Sequence, residues 1–340
     1  MATTALTDVI TEAGSAETTL EFPDNRLMLQ LCGELDSNLK KIVTATGVEI
    51  THRGNRLSLF GDDEQRKHSA TILRAIYSRL EQRRPLEPGD VDAAIRMPSE
   101  VFDAPRDSDQ IEMFKRDAVE IRTRKRIVEP RTPMQRAYVK SLFDHELVFG
   151  LGPAGTGKTY LAVAAAVSHY IDGHVDRIIL SRPAVEAGER LGFLPGDLKE
   201  KVDPYMQPLY DALNAFLPAK QVQRMIEDKQ IEIAPLAFMR GRTLSNAFVI
   251  LDEAQNATAM QMKMFLTRMG SNSRIAVTGD TTQIDLPTHL NSGLIDAISR
   301  LSRINGIGMI NMTESDIVRH RLVREVVKAY EQKPKSRKSR

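Results

Sequence analysis

Leu147-Val148-Phe149-Gly150-Leu151-Gly152-Pro153-Ala154-Gly155-Thr156-Gly157-Lys158-Thr159-Tyr160 is the stretch whose reading decides the fold. Leu147-Val148-Phe149 reads as a strand, and Tyr160 to Val167, rich in alanine, reads as the helix that follows the turn. Between them, Gly152 to Thr159 fit the P-loop spacing in full. Glycines let successive backbone N–H groups face a phosphate at the positive end of the helix. In such a turn Lys158 reaches the β- and γ-phosphates and the Thr159 hydroxyl binds Mg²⁺. Gly152, Pro153, Ala154, Gly155, Thr156, Gly157, Lys158, Thr159 and Tyr160 are therefore the candidate binding residues; the bland alternative is a glycine-rich strand-to-helix turn.

A second constellation lies downstream. Phe248-Val249-Ile250-Leu251 is an apolar run ending in Asp252-Glu253, and parallel sheets place ligands at that end of their strands. Asp252 joins Thr159 as a metal candidate, and Glu253 is placed as general base or water orienter. A third strand, Ile275-Ala276-Val277, runs into Thr278-Gly279-Asp280-Thr281-Thr282-Gln283, where Gln283 touches the γ-phosphate or the attacking water, or forms an ordinary polar turn. Lys158, Glu253 and Gln283 are the catalytic candidates. Strands are expected at 146–149, 177–181, 231–234, 247–252, 274–279 and 308–311, alternating with helices, which means a parallel sheet flanked by helices over 132–332. A helical insert at 189–229 reads as a subunit or RNA contact.

The 340 residues leave room for two domains, and 41% hydrophobic with 27% charged residues argues against wholesale disorder. Residues 1–20 read as a loose arm. Over 21–81 an extended start at Leu27–Leu31 leads to a helix, a hairpin through His52-Arg53-Gly54-Asn55 and a long helix, the order strand, helix, strand, strand, helix. Residues 82–131, with five prolines, read as a linker or connecting hairpin holding a short helix at Val91–Met97 and an exposed basic strand at Arg122–Arg126. The tail 333–340 is basic. A formal charge of +2 does not identify a nucleic-acid binder, so any basic footprint is local: Arg122, Arg124, Lys125 and Arg126, or Lys333, Lys335, Arg337, Lys338 and Arg340. One cysteine, Cys32, excludes an intramolecular disulfide, and with seven histidines it forms no ligand-spaced cluster. The longest apolar run falls far short of the roughly 20 residues of a membrane span. No Lys or Arg precedes Arg26, against a targeting peptide. A soluble, cytoplasmic protein is expected.

Together, Arg131-Thr132-Pro133-x-Gln135, the P-loop, Ser181-Arg182-Pro183-Ala184-Val185, Leu251-Asp252-Glu253-Ala254-Gln255-Asn256, Gly279-Asp280-x-x-Gln283 and Arg319-His320-x-Leu322-Val323 resemble the PhoH family of ATPases, related to the superfamily 1 helicase core. The N-terminal part looks like the longer bacterial members of the YbeZ type. The resemblance implies an α/β fold: a RecA-like P-loop NTPase core with a mainly parallel sheet, preceded by a small α+β KH-like domain. It also implies ATP and Mg²⁺ as ligands, Gln135 as a reader of the adenine edge, a role in ribosomal RNA maturation, and association with a YbeY-type endoribonuclease. An RNA helicase would need a second wall for the ATP site, so a homo-oligomer, a ring of six, is expected. Arg240, Arg242, Arg319 and Arg321 are the candidates for an arginine acting in trans, against the plain reading of surface arginines.

At the place of the KH Gly-x-x-Gly loop stands Gly33-Glu34-Leu35-Asp36, whose acids disfavour a phosphate, so protein docking is at least as good a reading of 21–81. Two rival functions share the P-loop: an ATP-regulated adaptor that docks a nuclease or ribosomal partner without unwinding RNA, and a small-molecule kinase, which lacks a recognisable lid.

Overall fold

The computed structural model describes residues 17–87, 89–96, 120–183, 198–287 and 289–318. The chain divides into two units, one formed by Met1–Ala118 with Arg131–Pro133, the other by Val119–Pro130 with Met134–Arg340.

The first unit runs β1 (Glu17–Glu21), α1 (Asn25–Cys32), α2 (Ser37–Thr46), β2 (Glu49–Arg53), β3 (Arg56–Phe60), α3 (Asp63–Glu81) and α4 (Asp90–Arg96). Its sheet is antiparallel in the order β1-β3-β2, with Leu20 opposite Leu57 and Ile50 opposite Leu59. Three features differ from the sequence reading. Glu17–Leu20 are strand and not arm, because Leu20 and Phe22 enter the core. Leu27–Leu31 are helix and not extended: Asp24 caps the Arg26 and Leu27 N–H groups, and Met28, Leu31 and Cys32 fall on one buried face. The segment expected as linker over 82–131 does hold its expected short helix, α4, but Val91 and Ala94 of that helix belong to the N-terminal core, so this part is not mere connecting chain. Asp90 at its start is paired with Arg79 and Arg131.

The second unit begins with a hairpin of β4 (Ile121–Arg122) and β5 (Ile127–Val128). There follow α5 (Pro133–Asp144), β6 (Leu147–Leu151), α6 (Lys158–Ile171), β7 (Arg177–Arg182), α7 (Leu198–Phe216) and α8 (Ala219–Glu227). The chain continues through β8 (Ile231–Pro235), β9 (Ala247–Leu251), α9 (Ala259–Leu266), β10 (Arg274–Gly279), α10 (Gly293–Leu301) and β11 (Ile307–Asn311). Six strands form one sheet, β11-β6-β10-β9-β7-β8, and every pairing in it is parallel.

Both faces of this sheet are covered, which explains why its central strands read as largely apolar runs, whereas the edge strand β8 carries Glu232 in its middle. Val148, Ile178, Leu180, Phe248 and Ile250 face one apolar cluster with residues of α6 and α7. Their neighbours Phe149, Ile179, Val249 and Leu251 face the other, with Met262 and Phe265 of α9 and Leu294 of α10. Ile121 and Val128 of the hairpin are buried in the first cluster. The basic segment is thus the turn of a docked hairpin and not a free strand: Lys125 Nζ donates to Asn214 O at 2.6 Å and its N–H to Phe216 O at 3.2 Å, while Arg122 and Arg124 remain exposed. Among the described residues no helix is long and apolar enough to cross a membrane.

His169, near the end of α6, is buried between Phe143 and Phe248, with Nδ1 3.0 Å from Ala165 O. Burial holds its pKa down to about 4, so the ring is neutral in the folded state. The folded pKa lies below the ordinary 6.5, so His169 contributes stability that is present above pH 6.5 and lost as pH falls toward 4. We expect the urea midpoint to decline over that window, and His169→Leu to make the decline shallower.

Candidate active site

The P-loop follows β6, the strand between β11 and β10. Gly152 has φ 139, and a Cβ there would lie 2.4 Å from Met312 O, so only glycine lets the loop leave the sheet so close to the chain beyond β11. Gly155 and Gly157 also have positive φ, and Gly157 directly precedes α6. Ala154, Gly155, Gly157, Lys158, Thr159 and Tyr160 line a cleft of about 260 Å³, and its other walls are Asp252, Glu253, Gly279, Asp280 and Gln283. Three sequence-separated motifs are thus brought to one edge by the ends of β6, β9 and β10.

Within the cleft the polar groups are mutually engaged. Lys158 Nζ donates to the carbonyls of Gly152 at 2.6 Å and Pro153 at 2.8 Å, a resting position on its own loop. Asp252, 3% exposed, accepts at Oδ1 from Thr159 Oγ1 at 2.6 Å and Thr278 Oγ1 at 2.7 Å. Its Oδ2 lies 3.3 Å from Arg182 Nη2. Glu253 accepts from Arg182 Nη2 at 3.1 Å and from Gln255 Nε2 at 2.6 Å. Asp280 accepts from Thr282 at Oδ1, and its buried Oδ2 has no hydrogen-bond partner. A hydroxyl and a buried carboxylate facing each other beside a glycine cradle fit Mg²⁺ with a nucleoside triphosphate: hard oxygen donors for the cation, and backbone N–H groups at a helix start for the phosphates.

A family model described as "PhoH-like protein" matches residues 127–331. The PhoH-like protein of Bacillus subtilis (strain 168) is 46% identical over 312 residues, covering 92% of this chain and 96% of the relative. The chain belongs to the PhoH-like family. Protein PhoH of Escherichia coli (strain K12) is 47% identical over 202 residues, covering 59% of this chain and 57% of its own. The SWI2/SNF2 ATPase core of Sulfolobus solfataricus, solved in complex with dsDNA, aligns over 53% of this chain and 43% of its own at 16% identity and TM-score 0.30. That likeness is too distant to add to the topology described above.

For this PhoH-like P-loop ATPase the structure also redirects some of the expected residues. Gln135 is buried, and its Nε2 donates to Thr156 O at 2.9 Å, so its amide nitrogen braces the P-loop from behind and the residue does not line the cleft. Gly152, Pro153 and Thr156 likewise serve the loop's interior, Thr156 Oγ1 donating to Pro153 O. Arg242 is held by Glu232 in a two-pronged ion pair within the same chain, which counts against its action in trans, whereas Arg240 is exposed. Arg319 and Arg321, with the basic tail and the motif around them, lie outside the described residues.

Arg182, Gln255 and Thr278 are the functional contacts that the sequence reading missed. Ser181-Arg182-Pro183 enters the sequence reading only as one of the resemblance motifs, whereas in the structure Arg182 turns onto the two acids. In the N-terminal unit the fold assembles what sequence spacing does not: Cys32, Asp36 and His52 place one ligand atom each within 4.8 Å of one another. Burial, with the Asp36 charge, pushes the Cys32 thiol up to about 11. With no cation beside it the thiol is protonated at neutral pH, and no ion is assigned there.

The placement of Gln135 separates two roles by experiment. A brace for the P-loop acts on any nucleotide, so Gln135→Ala should weaken ATP and GTP binding alike, by about tenfold or less. An adenine reader would lose ATP selectively, and equilibrium titrations with the two nucleotides distinguish the outcomes.

Proposed function

We propose that this protein is a Mg²⁺-dependent ATP hydrolase that acts on RNA, in ribosomal RNA maturation. The observation that carries the hydrolase reading is the meeting of Lys158 and Thr159 with Asp252, Glu253 and Gln283 around one cleft. In this reading the P-loop N–H groups cradle the phosphates, and Lys158 leaves the Gly152 and Pro153 carbonyls to meet phosphate charge. Thr159 and Asp252 hold Mg²⁺, which neutralises charge on the phosphate oxygens when bound. Glu253 takes the proton of the attacking water or orients it, and Gln283 borders the same space.

The RNA part of the proposal is supported by the motif resemblance and by the exposed Arg122 and Arg124 on the docked hairpin. We place assembly in a homo-oligomeric ring of six, which would close each ATP site as an RNA helicase requires, and docking of a YbeY-type endoribonuclease in the same proposal. The first unit, with its β-α-α-β-β-α order, is KH-like in this reading. Its Gly33–Asp36 turn holds Leu35 and Asp36 at φ 51 and 58, with Leu35 89% exposed and Glu34 beside them. An exposed leucine flanked by acids suits a protein partner better than a phosphate chain.

Steady-state hydrolysis with and without single-stranded RNA tests the proposal. Lys158→Ala should lower ATP turnover by about a hundredfold or more, and Glu253→Gln should keep ATP binding while forming little ADP. Wild-type turnover by Lys158→Ala would sink the assignment. Hydrolysis indifferent to RNA would favour the adaptor reading, which the resting engagement of Lys158 and Glu253 also suits. Partner capture would then have to differ between ATP and ADP.

A further inference from the structure

Glu253 is held by both of its carboxylate oxygens. Oε1 accepts from Arg182 Nη2 at 3.1 Å and Oε2 from Gln255 Nε2 at 2.6 Å, and the residue sits in the left-handed region at φ 51. With a donor on each oxygen the carboxylate is held in one orientation, and turning it toward a water in the cleft means giving up one of these bonds.

The two restraints differ in kind. Gln255 is 1% exposed, and its Oε1 accepts from Asp280 N at 3.1 Å, so this side is fixed between the ends of β9 and β10. Arg182, at the end of β7, divides its guanidinium among three acceptors. Nη2 serves Glu253 Oε1 and Asp252 Oδ2, and Nη1 donates to Tyr205 O at 2.9 Å. Nε is buried with no hydrogen-bond partner. The unpaired Nε–H means that this guanidinium is not fully satisfied where it lies, in contrast to the Gln255 side. Its third acceptor lies on α7, a helix outside the sheet that carries Pro204 and Pro208 in its interior, each without a backbone N–H to donate.

We propose that Arg182 is a positioning residue that restrains Glu253 in the resting protein and releases it when α7 shifts. Turnover is thereby gated at the Arg182–Glu253 pair. The inference rests on the hydrolase reading above, with Glu253 as base or water orienter, and names how that site is regulated.

The test compares Arg182→Gln and Arg182→Lys with the wild type for kcat and KM at saturating Mg²⁺, without RNA, with binding of a fluorescent ATP analogue and thermal melting measured alongside. Release of the restraint predicts that Arg182→Gln raises kcat about threefold to tenfold with KM within about twofold of wild type. A lysine presents one ammonium and cannot span Glu253 and the Tyr205 carbonyl as the fork does, so Arg182→Lys should also exceed wild type, by less. An unchanged kcat, or a fall with analogue binding retained, overturns the restraint; a fall would place Arg182 on the substrate instead. Should Arg182→Gln melt early or fail to bind the analogue, Arg182→Lys decides by the same criteria. A wild type and both variants that bind the analogue yet hydrolyse no faster than Lys158→Ala overturn the hydrolase reading itself.

Discussion

Asp252 ends β9 with 3% of its surface exposed, and three other elements put a donor on its carboxylate. Thr159 comes from the start of α6, Thr278 from β10 and Arg182 from β7. Burying a carboxylate is unfavourable unless its oxygens are hydrogen-bonded, and these three donors meet that need in the resting protein. The parallel register supplies the rest. Val277 lies opposite Leu251, and Ser181 opposite Leu251 on the other side, which brings Thr278 and Arg182 level with Asp252 one residue further on. The P-loop helix, the neighbouring strand ends and the acids are therefore keyed to one another before any ligand arrives, which is the preorganisation that phosphoryl chemistry requires.

What the sequence makes legible is what is local. Eight consecutive residues carry the P-loop, and burial on both faces makes the central strands apolar enough to recognise, with Asp252 and Glu253 at the end of one. The helical nature of Leu27–Leu31 is obscured because apolar residues occupy nearly every position there. The Asp24 cap and the Tyr77 hydroxyl that receives the Asp24 N–H are the local and distant contacts that favour helix. The short helix α4 is legible, but its proline-rich flanks hide that Val91 and Ala94 pack into the N-terminal core.

The same logic explains the site residues that were placed differently. Nothing near Gln135 in sequence indicates that it faces the Thr156 carbonyl, and nothing near Arg182 indicates that acids 70 and 71 positions away await it. Arg242 looks like a free cation until Glu232, on β8, turns out to face it. Long-range pairing of this kind is a property of the sheet order, which places β7 between β9 and β8 and so assembles partners that no window of sequence contains.

The docked hairpin alters how the chain presents itself to a protease. Arg122, Arg124, Lys125 and Arg126 put four trypsin sites within five residues of a segment whose composition resembles a linker. Cleavage requires several residues to detach and lie extended in the enzyme's groove. Here Ile121 and Val128 anchor both sides of the turn in the apolar cluster, and Lys125 is bonded through its main chain and its side chain to α7. The basic turn is therefore accessible to solvent yet guarded from digestion, and nicking there would report the loosening of the ATPase unit itself.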